Sequence, residues 1–368
     1  MKIANVEIIP ITIPFGHGGK TSGPGLSLKS WSSLNTMLVR IETDNGIVGW
    51  GEAFCYNSRR AIQGVLEEMI VPVLIGRDAS DIAALMHQLQ KDLHLFGRYG
   101  MIIHALSGID TALWDLAGKA AGLPVCNLLG GSVKTDMEGY SSLFKYDDPE
   151  LVAEKVRSSL NEGYEVIKLH ETGVEQIAAA RKEAGEGIPI TVDTNCPWTP
   201  IEAYENAMKF KPYDIHWLEE PIFPPEDFQA LAKLQSDTGI AIASGENACT
   251  AFQFREMFEA GAVTYAQPSV TKVGGITECR KVSTLAEAYG VQIMPHSPYF
   301  GPGFLATLHL TAAEPNPGLI EWLYLDREAC LYGDVINPKN GKFAVPDMPG
   351  LGPDPDADVI KDYRVKDD

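Results

Sequence analysis

Four stretches decide the fold: YEVIKLH (residues 164–170), IPITVDTN (188–195), IHWLEEP (215–221) and IAIASGEN (240–247). Each is a short apolar run ending in polar or charged residues, and each is followed by a segment able to hold a helix. Runs of the same kind lie to either side: MEGYSSL (137–143) before them, then VTYAQPS (263–269), VQIMPHS (291–297) and LIEWLY (319–324). Eight buried strands with helical segments between them predict a parallel α/β barrel from about Thr135 onward. Ahead of it, residues 3–13, 36–42 and 47–52 read as strands, with the turn signal Asn45-Gly46 between the last two. Residues 59–71, 82–95 and 101–121 carry helical periodicity, and Gly122-Leu123-Pro124 closes the last of them. The polar, glycine-rich stretch 16–33 is either a disordered connector or a mobile lid. The expected organisation is an N-terminal α+β domain over 1–125, the barrel over 126–330, and a Pro/Gly/Asp-rich segment, 331–368, returning to the first domain.

The 368 residues suffice for a barrel of about 250 residues and a smaller accessory domain. The formal charge of −19 argues against a nucleic-acid or anionic-membrane surface, so an anionic substrate needs a local positive cluster or a metal. Six cysteines without a CxxC pair suit a reducing compartment. No secretory leader or membrane-length apolar run is evident, so the expectation is a cytoplasmic enzyme.

Active sites of such barrels lie at the C-terminal ends of the strands. There the chain places Lys168, Asp193, Glu219, Glu246, Ser269, His296 and Glu321, at intervals of 25, 26, 27, 23, 27 and 25 residues. One polar residue per βα unit sets them all around one rim. Asp193, Glu219 and Glu246 on successive strands would repel one another without a cation, and all-oxygen ligands suit Mg²⁺ or Mn²⁺. Lys168 and His170, two residues apart on a strand, point to one face. His296 sits across the ring from them, so the two histidines form a candidate acid/base pair. A carboxylate-bound metal and the Lys168 ammonium would stabilise the charge that builds up when a proton is lost next to a substrate carboxylate. Glu321 would help from the other side if kept protonated.

At these residues the chain resembles the enolase superfamily, and within it the mandelate racemase/muconate lactonizing enzyme group. The resemblance rests on GIVGWGEA (46–53), ALSGIDTALWDLAGKAAGLPVCNLLGG (105–131), TVDTN, WLEEP, SGEN, KVGGITE (272–278), MPHS and IEWLYLD, in that order along the chain. It implies a modified TIM barrel, (β/α)7β, under an N-terminal capping domain, with Mg²⁺ held by Asp193, Glu219 and Glu246 and with Glu220 outside the ligand set. By the same likeness Lys168 contacts the substrate carboxylate, His170 is the base, His296 the opposite acid/base and Glu321 an electrophile. Asn195 lies near the α-substituent, and Ser142 matches a first-strand serine that binds the carboxylate. Two departures stand out. His170 replaces the second lysine of a KxK pair, and Ser269 replaces the aspartate that pairs with the histidine in mandelate racemase-like proteins. Capping loops select the substrate in this superfamily; here they offer His17, Lys20, Arg59 and Arg60. Lys272 either reaches the site or ends its strand in solvent, and the second is the expectation.

The implied activity is Mg²⁺-dependent abstraction of the α-proton of a carboxylate, foremost dehydration of a sugar acid or related hydroxy acid. A racemase, epimerase or cycloisomerase shares the first half of that chemistry, and a catalytically inactive binding protein is the competing class. The partners implied are a small-molecule carboxylate and, as is common in the family, further copies of the chain as a dimer or octamer.

Overall fold

The computed structural model describes residues 1–19 and 31–366. Most of the glycine-rich stretch, residues 20–30, and with it Lys20, lies outside the described residues.

The chain begins with an antiparallel sheet, β1 (Ile3–Gly16), β2 (Ser33–Thr43) and β3 (Val48–Phe54), in that spatial order. The helix Met101–Ala121 lies across β3, with fourteen of its residues buried. The approach is close because β3 carries Gly49 and Gly51. A Cβ at Gly51 would sit 2.0 Å from the Gly108 carbonyl oxygen, and one at Gly49 would sit 2.3 Å from that of Ala112. The alternation in GWGEA is therefore a packing requirement. Residues 59–74 form one helical stretch interrupted by a π-helical segment at Val65–Ile70, and Ile82–Asp92 follows as expected.

The second sheet is parallel. Its strands are β4 (Asp136–Ser142), β5 (Ile167–Leu169), β6 (Ile190–Asp193), β7 (Ile215–Glu219), β8 (Ile242–Ser244), β9 (Tyr265–Ala266), β10 (Gln292–Ile293) and β11 (Ile320–Leu323). They hydrogen-bond in the order β10-β9-β8-β7-β6-β5-β4-β11. A helix of at least ten residues follows each strand except β11, which is the (β/α)7β plan. The ends of the ladder meet through side chains: Ser297 donates from N to Glu321 Oε2 (3.1 Å) and from Oγ to the Glu321 carbonyl (3.0 Å). Alternation along each strand sorts the residues. Ile167 and Leu169 face the surrounding helices in the main core, Lys168 faces inward, and Tyr140, Trp217 and Ala243 fill the barrel interior.

The helix Met101–Ala121 also ties the two sheets together. Ser107 Oγ accepts from Gly274 N (2.9 Å), and Asp110 Oδ1 accepts from Thr277 N (2.9 Å) in the first turn of the helix Gly275–Tyr289. Asp115 accepts from Trp50 N and from Leu351 N, both at 2.8 Å, and Lys119 bridges Asp115 and Asp354. Past β11 the chain does turn back: β12 (Asp326–Arg327) pairs with β1, and Val365 N donates to Pro10 O. All six cysteines are free. No helix among the described residues is long and apolar enough to cross a membrane.

Glu52 makes a matching contact from the other side, its Oε2 accepting from Gly303 N (2.9 Å) at the start of the helix Pro302–Ala312. Burial pushes its carboxyl up to about 7, the Gly303 bond opposing. A carboxyl raised on folding contributes stability at acid pH that is lost as pH climbs through the folded value. Glu52→Gln cannot ionise, so it should escape a loss of up to about 3 kcal/mol. Urea unfolding at pH 5 and pH 8 should show the variant gaining on the parent at the higher pH. A constant difference would mean that Glu52 does not titrate in this window.

Candidate active site

β6 and β7 end on Asp193 and Glu219, and Glu246 follows β8 by two residues. Parallel neighbours in register bring these ends to one level, with Asp193 opposite Glu219. Ligand atoms of the three carboxylates all lie within 4.8 Å of one another, and all three side chains are buried.

Lys168 sits among them. Its Nζ lies 2.7 Å from Glu219 Oε1, 3.0 Å from Asp193 Oδ2 and 3.0 Å from Glu321 Oε1. Burial works against the ammonium, but these three charges hold it well above its ordinary range. One ammonium cannot offset them all. Burial, followed by the charge on Asp193, pushes Glu219 well above the usual carboxylate range. Asp193 stays depressed: burial raises it, and Lys168 and His170 outweigh that. Glu246 is also held low against burial, by His296 and then Lys272. A buried all-oxygen cluster with charge left over fits a divalent cation such as Mg²⁺.

The cluster floors a cavity of ≈400 Å³ whose lining includes Lys168, His170, Asp193, Glu246, His296 and Glu321. His170 Nδ1 lies 2.5 Å from the Leu143 carbonyl, which can only accept, so Nδ1 carries a proton. Nε2 is 3.4 Å from Asp193 Oδ2. His296 follows β10, five strands along the ladder from β5. Its Nε2 lies 3.0 Å from Glu246 Oε2, and its Nδ1 is 3.2 Å from the Tyr299 hydroxyl. Tyr299 in turn hydrogen-bonds Ser269 Oγ.

The wall from the N-terminal sheet is aromatic. Trp31, Phe54 and Tyr56 line it, with Tyr56 ring centroids 4.9 Å from Trp31 and 4.5 Å from Phe54. The Tyr56 hydroxyl is buried without a partner among the described residues.

Several expectations change. Glu321 would have helped as a hydrogen-bond donor if kept protonated. Instead it accepts from Lys168 Nζ, Ser142 Oγ (2.9 Å) and Ser297 N, and Lys168 and His296 hold it low against burial. It is a carboxylate. Ser142 is wholly buried behind it and is not among the lining residues; Asn195 does line the cavity and steadies Asp193 through N and Nδ2, at 2.9 and 3.0 Å. His17 is stacked on Phe144 at 4.5 Å and, like Arg59 and Arg60, is not among the lining residues. Lys272, expected in solvent, is only 4% exposed. Its Nζ reaches Asn247 Oδ1 (2.9 Å) and Glu246 Oε1 (3.3 Å) and lies 4.8 Å from the Phe54 ring centroid. Glu220 is outside the carboxylate cluster but buried, bonded to Asn247 Nδ2 and pushed up to about 8 by burial and by Glu246. The sequence carried no signal for Tyr299, whose place three residues after His296 lies on an irregular loop.

Comparison with known proteins agrees with this geometry. Residues 151–359 match the family described as "Enolase C-terminal domain-like", and residues 21–130 match "Mandelate racemase / muconate lactonizing enzyme, N-terminal domain". The chain is 32% identical to an arabinonate dehydratase of Saccharolobus solfataricus, over 90% of this chain and 91% of that protein. It is also 32% identical to a D-galactarolactone cycloisomerase of Agrobacterium fabrum, over 90% and 92%. A racemase from Streptomyces coelicolor, solved with bound magnesium, superposes with a TM-score of 0.88 at 27% identity, covering 99% of this chain and 100% of that one.

Removing the ammonium at the centre should expose the cost of the cluster. Lys168→Met should destabilise the metal-free protein by about 3 kcal/mol or more, and a saturating divalent cation should recover part of that. Urea unfolding with EDTA and with added cation measures both; a loss unaffected by the cation would separate Lys168 from the carboxylates.

Proposed function

The chain belongs to the enolase superfamily, in its mandelate racemase/muconate lactonizing enzyme branch, and from that premise we propose that it is a Mg²⁺-dependent dehydratase of a hydroxylated carboxylate, a sugar acid. The observation carrying the reading is the placement of two histidines at one buried carboxylate cluster, on strand ends five places apart along the ladder, each with its Nδ1 bonded to a group of the protein. Dehydratases among its relatives point the same way.

Asp193, Glu219 and Glu246 would hold Mg²⁺, which when bound supplies positive charge against the substrate carboxylate as that group gains negative charge. Lys168 adds a hydrogen-bond donor at the same oxygens. His170, anchored by the Leu143 carbonyl, takes the α-proton at Nε2. His296 gives the proton on its Nε2 to the departing β-hydroxide. The Cα–H and Cβ–O bonds break, a carbon–carbon double bond forms, water leaves, and the enol product becomes a 2-keto-3-deoxy acid. The Glu321 carboxylate keeps Lys168 and Ser297 in place. The aromatic wall and the Tyr56 hydroxyl cover the far end of the substrate and keep out water.

Racemisation needs a group on each face able to act as base. A carboxylate on His296 Nδ1 would favour that, and here Nδ1 meets a hydroxyl. One-way elimination suits the site better. Cycloisomerisation, the activity named for one relative, uses the same first step with a leaving oxygen that remains attached.

A panel of sugar acids assayed with Mg²⁺ in deuterated water for 2-keto product and α-deuterium is the direct test. With a substrate found, His170→Asn should lower α-proton exchange on the order of 100-fold or more while leaving the circular dichroism spectrum unchanged. Separately, Asp193→Ala, Glu219→Ala and Glu246→Ala should each weaken Mg²⁺ binding in calorimetry by on the order of 100-fold, and Glu220→Ala by less. Parental Mg²⁺ affinity in all three would remove the metal assignment; stereoinversion without keto acid would replace dehydration by racemisation.

A further inference from the structure

The position that the sequence resemblance gives to a carboxylate partner of the histidine is Ser269 here, and its hydroxyl meets Tyr299. Tyr299 stands between Ser269 and His296. Its hydroxyl bonds Ser269 Oγ on one side and lies 3.2 Å from His296 Nδ1 on the other. Ser269 is fully buried and Tyr299 is 3% exposed. The two rings meet edge to face, with centroids 5.7 Å apart. Ser269 Oγ also lies 3.5 Å from Thr271 Oγ1.

We propose that Tyr299, steadied by Ser269, is the positioning residue for His296, aiming its Nε2 at the leaving group through an uncharged hydroxyl relay. The proposal rests on the dehydratase reading and deepens it. A hydroxyl both donates and accepts, so the relay serves either form of the ring. While His296 holds both protons, Nδ1–H donates to the Tyr299 oxygen, and the Tyr299 hydroxyl donates to Ser269 Oγ. When the Nε2 proton passes to the departing hydroxide and forms water, Nδ1–H keeps the same bond. Burial holds the phenol well above its ordinary range, Ser269 opposing, so the relay stays neutral through the cycle. His170 has no part in it. Its anchor is the Leu143 carbonyl, on the other side of the cavity.

That separation supplies the test. Tyr299→Phe keeps the ring and its packing and removes only the hydroxyl. Elimination should slow roughly tenfold, with KM and Mg²⁺ affinity unchanged, while α-proton exchange by His170 continues. Recovered substrate should therefore carry several-fold more deuterium per product formed. Ser269→Ala should shift the same ratio in the same direction by a smaller factor. Equal slowing of exchange and elimination, or no change in either, overturns the proposal. A readout independent of substrate is the side-chain ¹⁵N spectrum of the Mg²⁺-loaded protein. Tyr299→Phe should move the His296 Nδ1 resonance and leave that of His170 in place, and an unmoved His296 resonance also overturns it. A parent enzyme inert toward every sugar acid, with the His296 resonance still shifting, refutes dehydration and leaves the relay standing.

Discussion

The ammonium of Lys168 among three buried carboxylates is the interaction on which the rest of this molecule is arranged. Charges withdrawn from water cost several kcal/mol each unless they are paired, and the barrel mouth gathers Asp193, Glu219, Glu246 and Glu321 around that one side chain and its neighbours. The cluster persists because the register of β5, β6 and β7 fixes where each carboxylate points, at buried positions of the barrel mouth. A site that leaves Glu219 uncompensated is suited to a divalent cation.

The surrounding structure closes this site from above. Helix Met101–Ala121 joins the antiparallel sheet to the barrel through Ser107 and Asp110, and Glu52 joins it again at Gly303. Through these contacts, Phe54 and Tyr56 stand over the catalytic floor, and Phe54 packs against Lys272, which itself reaches Glu246. The aromatic wall and the carboxylate cluster thus belong to different sheets held in fixed relation by buried polar contacts. Deleting such a contact would disturb both at once.

The chemistry follows from the difference between the two histidines. His170 rests on a backbone carbonyl, an invariable acceptor that commits its Nδ1 to donating. His296 rests on a tyrosine hydroxyl, which accepts or donates and carries no charge. Two imidazoles in one cavity thereby sit in different surroundings, and the proposed division into base and acid draws on that difference.

The sequence by itself determined what depends on period and spacing. Strand alternation put Lys168 and His170 on one face, and the regular interval between strand ends put Asp193, Glu219 and Glu246 on one rim, because a parallel barrel repeats one geometry in every βα unit. The three strands ahead of the barrel and the helix 101–121 were legible for the same reason. Only the tertiary structure decided what depends on contacts between segments without a shared period. Glu321 is ionised because Ser142, Lys168 and Ser297 converge on it from three strand ends; Lys272 turns inward because Glu246 and Asn247 offer it partners; and His17 spends its ring on Phe144. Tyr299 belongs to the same group. A loop has no period from which to infer a direction, and a hydroxyl's role is set by which atoms lie within 3 Å or so of it, which is a property of the folded chain.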